Sequence, residues 1–123
     1  MNKKKVIAIG LDPAFADYTQ FPELTVEKIS AFIQSQLESL RKTGFEVESC
    51  LIGPEPAAAA EIEHRLTDNR FDCVMIGAGL RVPPEHMVLF EKIINTVHER
   101  APGAKICFNT TPGDTVAAVQ RWI

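Results

Sequence analysis

The stretch KKVIAIGLD (4–12) decides the fold of this 123-residue chain. Its short apolar run, rich in β-branched residues, predicts a strand that is buried on both faces, as strands of parallel sheets are. In the next segment, 25–44, apolar residues recur every three or four positions, which predicts an amphipathic helix. Thr25 is typical of a residue that caps a helix start, and Gly44 of one that ends a helix.

The same change from strand to helix recurs three more times along the chain. The further strands are predicted at 45–53, within 71–81, where the apolar run ends at Gly77, and at 104–111. The helices that follow them are predicted at 55–70, 83–103 and 112–123. Four strand–helix repeats predict a single α/β domain over residues 1–123, with helices on both faces of a doubly wound parallel sheet. We therefore predict a three-layer, flavodoxin-like or Rossmann-like fold with four strands in the order 2-1-3-4.

The composition is that of an ordinary globular protein, with 46% hydrophobic and 24% charged residues and a formal net charge of −3. This charge disfavours a nucleic-acid partner, because such partners select basic faces. The apolar stretch 6–11 is too short for a signal peptide, and no segment approaches the roughly 20 apolar residues of a membrane span. Neither a membrane nor a nucleic acid is predicted as a partner.

Three cysteines, Cys50, Cys73 and Cys107, each lie inside a predicted strand. An odd number of cysteines in core positions disfavours a disulfide framework. Reduced thiols packed in a core are typical of a protein of the cytoplasm. We therefore expect a cytoplasmic location.

The site is expected beyond the carboxyl ends of strands one and three, where the predicted strand order reverses. The loop that follows strand one, DPAFADYTQFPEL (12–24), has thirteen residues, whereas such connections usually take about 2–6. It begins with Asp12 and carries Phe15, Tyr18 and Phe21 at a spacing of three. This pattern indicates a ligand-binding loop or lid, or alternatively aromatic side chains that pack over the core.

A second unusual loop, GAGLRVPPE (77–85), follows strand three. Gly77 and Gly79 allow the backbone to approach a ligand closely, and the start of the next helix favours an anion. Arg81 is suited to a phosphate or carboxylate group, which a guanidinium binds through two hydrogen bonds. The alternative is a tight turn in which Arg81 pairs with an acidic neighbour, Asp12 or Glu85.

Polar residues also end strand four. Asn109 and Thr110 are expected to line the neighbouring position of the same crevice, whereas Thr111 is explained as a helix cap. The predicted ligand-binding residues are therefore Asp12, Phe15, Tyr18, Gly77, Gly79, Arg81, Asn109 and Thr110.

Familiar catalytic and cofactor motifs are absent from the sequence, including the Walker loop, the Cys-x-x-Cys pair and the Gly-x-Ser-x-Gly elbow. The pair Gly77 and Gly79 follows the third strand and lacks the third glycine of a dinucleotide fingerprint. His86 and His98 lie about 120° apart on one predicted helix, so they form no metal-binding face. No metal site is predicted, and the cofactor and the catalytic residues stay unknown.

Two levels of resemblance follow from these residues. The strand–helix pattern resembles flavodoxins and response-regulator receivers, but Gly77 stands where a receiver carries its phosphoacceptor aspartate, so neither activity is carried over. The segments LDP (11–13), FDCVMIGAGLR (71–81), LFEKIIN (89–95) and KICFNT (105–110) resemble a family of small uncharacterised bacterial and fungal proteins. That family has no assigned activity, so the resemblance implies the extent of the domain and no reaction.

Two functions remain as hypotheses from the sequence. The first is a binding domain for a small anionic metabolite, with an enzymatic role left open, in which Asp12 and Arg81 orient the ligand and Phe15 and Tyr18 cover it. The second is a non-catalytic interaction protein that forms a homodimer or larger homo-oligomer. It would use the open edge of a four-stranded sheet, beside which the apolar residues Trp122 and Ile123 end the chain.

Overall fold

Strands and helices alternate along the chain in a computed structural model that describes residues 3–19, 23–54 and 57–123. The strands are β1 (Lys5–Leu11), β2 (Glu46–Ile52), β3 (Cys73–Ile76) and β4 (Lys105–Phe108). The helices are α1 (Val26–Lys42), α2 (Ala57–Asp68), α3 (Ala78–Arg81), α4 (Met87–Arg100) and α5 (Thr115–Gln120). Single 3-10 turns lie at Pro13–Phe15, Pro84–His86 and Pro112–Asp114.

The four strands form one parallel sheet in the order β2-β1-β3-β4, which confirms the predicted order. β1 pairs along its whole length with β2, from Lys5 opposite Glu46 to Leu11 opposite Ile52. On its other side β1 pairs with β3. The order therefore reverses between β1 and β3, and β2 and β4 are the edges of the sheet.

Helices cover both faces of the sheet, so the fold is the predicted three-layer, flavodoxin-like arrangement. On the α2/α4 face, the strand residues Ile7, Ile9, Val74 and Ile76 are buried against Ala58, Ile62, Leu66, Ile93 and Val97. On the α1/α5 face, Val6, Ala8, Cys73, Met75 and Cys107 are buried with Leu37, Leu40, Ala118 and Val119. Alternate residues of each strand supply the two faces because side chains alternate along a strand.

Both predicted ends of the first helix are confirmed. The Thr25 hydroxyl accepts a hydrogen bond from the Lys28 N–H at 3.1 Å, which satisfies one of the free donors of the first turn. Gly44, two residues after the end of α1, has a φ of +105°, a conformation that side-chain-bearing residues rarely adopt. These two residues fix where α1 starts and where the chain turns into β2.

The segment after β3 contains a short helix where the sequence predicts a loop. β3 ends at Ile76, next to the predicted end at Gly77, and α3 fills part of the loop expected over 77–85. The Gly77 N–H still donates to the Ile9 carbonyl at 2.9 Å, but the Gly77 carbonyl accepts from the Leu80 N–H, which starts a helical turn. The helix predicted from residue 83 begins as a 3-10 turn and becomes α-helical only at Met87.

All three cysteines are buried and unpaired by disulfides, which confirms the predicted packing of thiols in the core. Cys50 belongs to the α2/α4 face, and burial raises the pKa of its thiol to about 11. Cys73 and Cys107 lie on the α1/α5 face with their sulfur atoms 3.5 Å apart. Their mutual hydrogen bond and burial raise the pKa of the Cys73 thiol well above its ordinary value.

The helices are short and amphipathic. α1, with 17 residues, carries charged side chains from Glu27 to Lys42. Among the residues that the structure describes, no helix has the length and apolar character needed to cross a membrane.

Candidate ligand-binding cavity

A cavity of about 220 Å³ lies at the carboxyl ends of β1, β2 and β3, on the α1/α5 face of the sheet. It occupies the point at which the strand order reverses, where open α/β sheets place their ligands. The sheet forms its floor, α1 and the turn Pro13–Phe15 form its cover, and the start of α5 forms a side wall.

Space remains above the sheet because the side chains at the centre of the cavity floor are small. Ala8 and Gly10 of β1 lie there between Ser49 and Leu51 of β2 on one side and Met75 and Gly77 on the other. A Cβ atom at Gly10 would meet the Leu51 Cδ2 at 3.4 Å, and one at Gly77 would meet the Gly10 Cα at 3.6 Å. Both are ordinary contacts, so larger side chains would occupy the cavity rather than collide with its backbone.

Helix α1 covers the floor with one side of its apolar stripe. Ile29, Ile33 and Leu37 line the cavity at helical spacing, together with the amide side chain of Gln36. The apolar stripe that the sequence predicts for packing therefore covers a space between Ile29 and Leu37.

The turn after β1 closes the cavity from above through Pro13 and Ala16. Asp12 caps this turn: its Oδ1 accepts from the Ala14 N–H at 3.0 Å. The Tyr18 hydroxyl donates to the Pro13 carbonyl at 2.7 Å and ties the following residues back onto the turn. Burial, and then the carboxylates of Asp12 and Glu27, raise the pKa of the Tyr18 hydroxyl, so this donor keeps its proton at neutral pH.

Asn109 organises the side wall. Its Oδ1 accepts from the Ala78 N–H at 2.8 Å, and its Nδ2 donates to the Thr115 Oγ1 at 3.1 Å. Thr115 in turn donates to the Pro112 carbonyl at 2.7 Å. One buried amide thus joins the end of β4 to the starts of α3 and α5.

A capping box holds the turn before α5. The Thr111 hydroxyl accepts from the Gly113 N–H, and the Asp114 carboxylate accepts from the backbone of Thr110 and Thr111 and from the Thr110 hydroxyl. Partial burial acts to raise the pKa of Asp114, but these hydrogen bonds outweigh it and lower that pKa below its ordinary value. The predicted cap at Thr111, with Asp114 in its first turn, is confirmed.

Arg81 turns away from the cavity. Its Nη2 donates to the Asn109 carbonyl at 2.9 Å, and its guanidinium carbon lies 5.7 Å from the centre of the Phe108 ring, which packs on the α2/α4 face. It makes neither of the ion pairs considered from the sequence, with Asp12 or with Glu85. Its Nε is buried and finds no hydrogen-bond partner among the described residues.

The residues predicted to bind a ligand fall into three groups. Gly77, Gly79 and Asn109 line the cavity. Asp12, Phe15 and Tyr18 belong to the turn that covers it or directly follow that turn, with Phe15 itself 46% exposed. Arg81 and Thr110 lie outside the lining, and Phe21 lies outside the described residues.

The lining also includes residues that the sequence analysis did not predict as part of a site, among them Ala8, Gly10, Gln36 and Ser49. A signal for the first two was present in VIAIG (6–10), where small residues alternate with isoleucine. In a strand that is buried on both faces, such alternation places the small side chains together on one face. Nothing comparable distinguishes Gln36 or Ser49 from exposed polar residues.

The lining is almost entirely apolar, and none of its side chains among the described residues is charged. No cluster of three or more histidine, cysteine or acidic side chains suited to a metal ion occurs within the described ranges. The cavity can therefore exclude water from an apolar molecule and offer it neutral hydrogen-bonding groups.

Fold and cavity together define a three-layer α/β protein with an apolar cavity at its topological switch point. No model of a known protein family and no curated protein matches the chain.

Proposed function

We propose that this protein binds a small molecule in the cavity between the sheet and α1. The observation that carries the proposal is the volume of about 220 Å³ at the switch point, floored by small residues. Protein interiors are close-packed, so an apolar space of this size beside the core is a feature that needs a reason. A ligand that fills it removes the apolar lining from water, which stabilises the complex.

An anionic ligand, the class favoured by the sequence, would place its charged group at the mouth, against the backbone of Gly77 and Gly79. Only the backbone of these two glycines supports an anionic ligand. The Ala78 N–H already donates to the Asn109 side chain, and Arg81 already donates to the Asn109 carbonyl. We assign no reaction to the site.

The proposal is tested by blocking the cavity from α1. Ile33→Trp directs a large side chain into the space, whereas Phe32→Trp makes a similar change at the neighbouring exposed position. A thermal-shift screen would use nucleotides, sugar phosphates, flavins, organic acids and aromatic alcohols. A ligand at about 100 times its Kd adds roughly 2.7 kcal/mol to the free energy of unfolding, a shift of several degrees in Tm.

A shift that is lost in Ile33→Trp and kept in Phe32→Trp supports binding in the cavity. A shift that survives Ile33→Trp contradicts the proposal. Arg81→Ala is added as a third arm, since loss of binding there would favour an anionic group at the mouth.

A second candidate is self-association through the β4 edge and the end of the chain. Trp122 is 55% exposed, and β4 has no neighbour on its outer side among the described residues. Arg121 donates to the Phe108 carbonyl at 3.0 Å and so occupies one edge acceptor. An interface here would rest on side chains more than on strand pairing. Light scattering at high micromolar concentration, with Trp122→Ser as the comparison, tests it; a monomeric parent protein excludes it.

We also propose a cytoplasmic location. Its support is the free state of Cys50, Cys73 and Cys107, two of which lie in contact without forming a disulfide. Such thiols are typical of reducing compartments. Cell fractionation checks the location, and recovery from a secreted fraction would contradict it.

A further inference from the structure

We infer that the ligand is an uncharged molecule with an apolar body and one neutral hydrogen-bonding group, an inference that rests on the proposed function. The primary observation is the lining, in which the described residues supply aliphatic side chains, backbone and four neutral polar side chains. Burial of a charge is costly unless a partner compensates it. An ion in this cavity would lose its water and gain no countercharge.

Three charged side chains close to the cavity form hydrogen bonds with other parts of the chain. Arg81 donates to the Asn109 carbonyl beside the Phe108 ring, on the other side of the sheet. Asp12 caps its own turn, and Asp114 accepts from Thr110 and Thr111. Each of these groups is already hydrogen-bonded within the fold, and none of the three lines the cavity.

The polar groups of the lining divide into two pairs. Asn109 and Thr115 satisfy each other and the adjoining backbone. Gln36 on α1 and Ser49 on β2 line the opposite part of the cavity, and their amide and hydroxyl form no hydrogen bond within the described chain. They are therefore the groups that would recognise a hydroxyl or carbonyl of the ligand.

The volume sets the size of the apolar body. An engineered cavity of about 150 Å³ in another protein takes up benzene, and this cavity of about 220 Å³ has room for a substituted ring. The structure thus favours a single-ring alcohol, ketone or amide over a nucleotide or a sugar phosphate.

Three probes of nearly equal shape test the inference: benzyl alcohol, benzoate and benzylammonium. The backbone amides of Gly10, Gly77 and Gly79, which line the cavity, serve as NMR reporters. Gly44, whose surroundings are open, serves as an internal control. We expect benzyl alcohol to shift the three cavity amides and to bind at least about tenfold more tightly than either ion, since a buried unpaired charge is penalised.

The outcomes separate the inference from the proposed function. Tighter binding of benzoate or benzylammonium at the same three glycines would overturn the inference and leave small-molecule binding intact. No response from any probe, or shifts confined to Gly44 and other residues away from the lining, would also overturn the inference. The proposed function itself falls only if the wider thermal-shift screen gives no shift that Ile33→Trp removes.

A matched pair of variants makes the test independent of the probes' own properties. Gln36→Glu places a carboxylate in the lining, whereas Gln34→Glu places one on the exposed side of the same helix. Gln36→Glu is expected to weaken the binding of benzyl alcohol about tenfold or more. It should strengthen the binding of benzylammonium, because the carboxylate supplies the missing countercharge. Gln34→Glu is expected to change neither. Equal behaviour of the two variants would contradict the inference.

Discussion

The two faces of the sheet are built from the same four strands and differ in how they are filled. Near the carboxyl ends, the α2/α4 face carries the row Cys50, Ile9, Ile76 and Phe108, and the α1/α5 face carries the row Leu51, Gly10, Gly77 and Asn109. The first row packs densely, and the second leaves the cavity. Side-chain size on alternate positions of β1 and β3 thus determines which face of a parallel sheet can hold a ligand.

The faces also differ in what stabilises them. Burial of aliphatic side chains dominates the α2/α4 face. The wall beside the cavity depends on hydrogen bonds of Asn109, Thr115 and Asp114. Substitutions on the two sides should therefore differ in size and in pH dependence.

The largest effect is expected on the densely packed side. Ile7→Ala removes a fully buried side chain from the α2/α4 face. The free energy of unfolding should fall by about 2–5 kcal/mol, because transfer and cavity costs add. Urea unfolding measures it, and a loss below about 1 kcal/mol would show that this face is loosely packed.

A smaller loss in the free energy of unfolding is expected for Asn109→Leu. This change removes the amide that links the end of β4 to the starts of α3 and α5. The Ala78 N–H and the Thr115 hydroxyl would each lose a partner, at a cost of about 1–3 kcal/mol. Urea unfolding gives the loss, and hydrogen exchange at the Ala78 amide should become faster than in the parent protein. Unchanged exchange would mean that this hydrogen bond does not protect the amide.

One substitution made on both faces tests the comparison directly. Ala8→Val adds two carbons into the cavity and should stabilise the protein by about 0.5–2 kcal/mol, as cavity filling does. Ala58→Val adds the same atoms to the packed α2/α4 face and should destabilise it by about 1–3 kcal/mol. Thermal or urea unfolding of the pair measures both. If both variants changed the free energy of unfolding in the same direction, the proposed difference in packing between the two faces would be wrong.

The smallest effect is a pH dependence at the cavity wall. The pKa of Asp114 is lower in the folded protein than its ordinary value of 3.8, so the folded state binds the proton less readily than the unfolded chain. Its stabilising contribution is present above that ordinary pKa and is lost as the pH falls through the folded pKa. Asp114→Asn keeps an acceptor oxygen but removes the negative charge at this helix start, which should cost about 0.3–1 kcal/mol at pH 7.

The difference between Asp114→Asn and the parent protein should shrink toward pH 2. Urea unfolding at a series of pH values follows it, with Glu99→Gln, at an exposed position on α4, as a control. A difference that stays constant across this range would assign the effect of Asp114 to something other than its charge.

Most of the fold could be predicted because it depends on periodicity. The strand order follows from four strand–helix repeats and the partial exposure of β2, and the caps at Thr25 and Thr111 follow from local chemistry. The predicted loop at 77–85 missed local structure, because Leu80 closes a helical turn on Gly77 that no apolar periodicity marks.

The place of the candidate site was predicted, and its chemistry was not. Topology alone puts a crevice between β1 and β3. The direction of Arg81, by contrast, depends on α3 and on the Phe108 ring, neither of which a sequence pattern specifies. The neutrality of the lining depends on which side of α1 Gln36 occupies relative to a floor of small residues.

The placement of the three thiols has a kinetic consequence. Cys50 and Cys107 belong to the two edge strands and Cys73 to a central strand, and all are buried. A thiol reagent therefore reacts with each only when its strand is transiently exposed, so the alkylation rate reports how often that strand opens. Mass spectrometry of partly alkylated protein then ranks the opening of β2, β3 and β4 without any engineered cysteine.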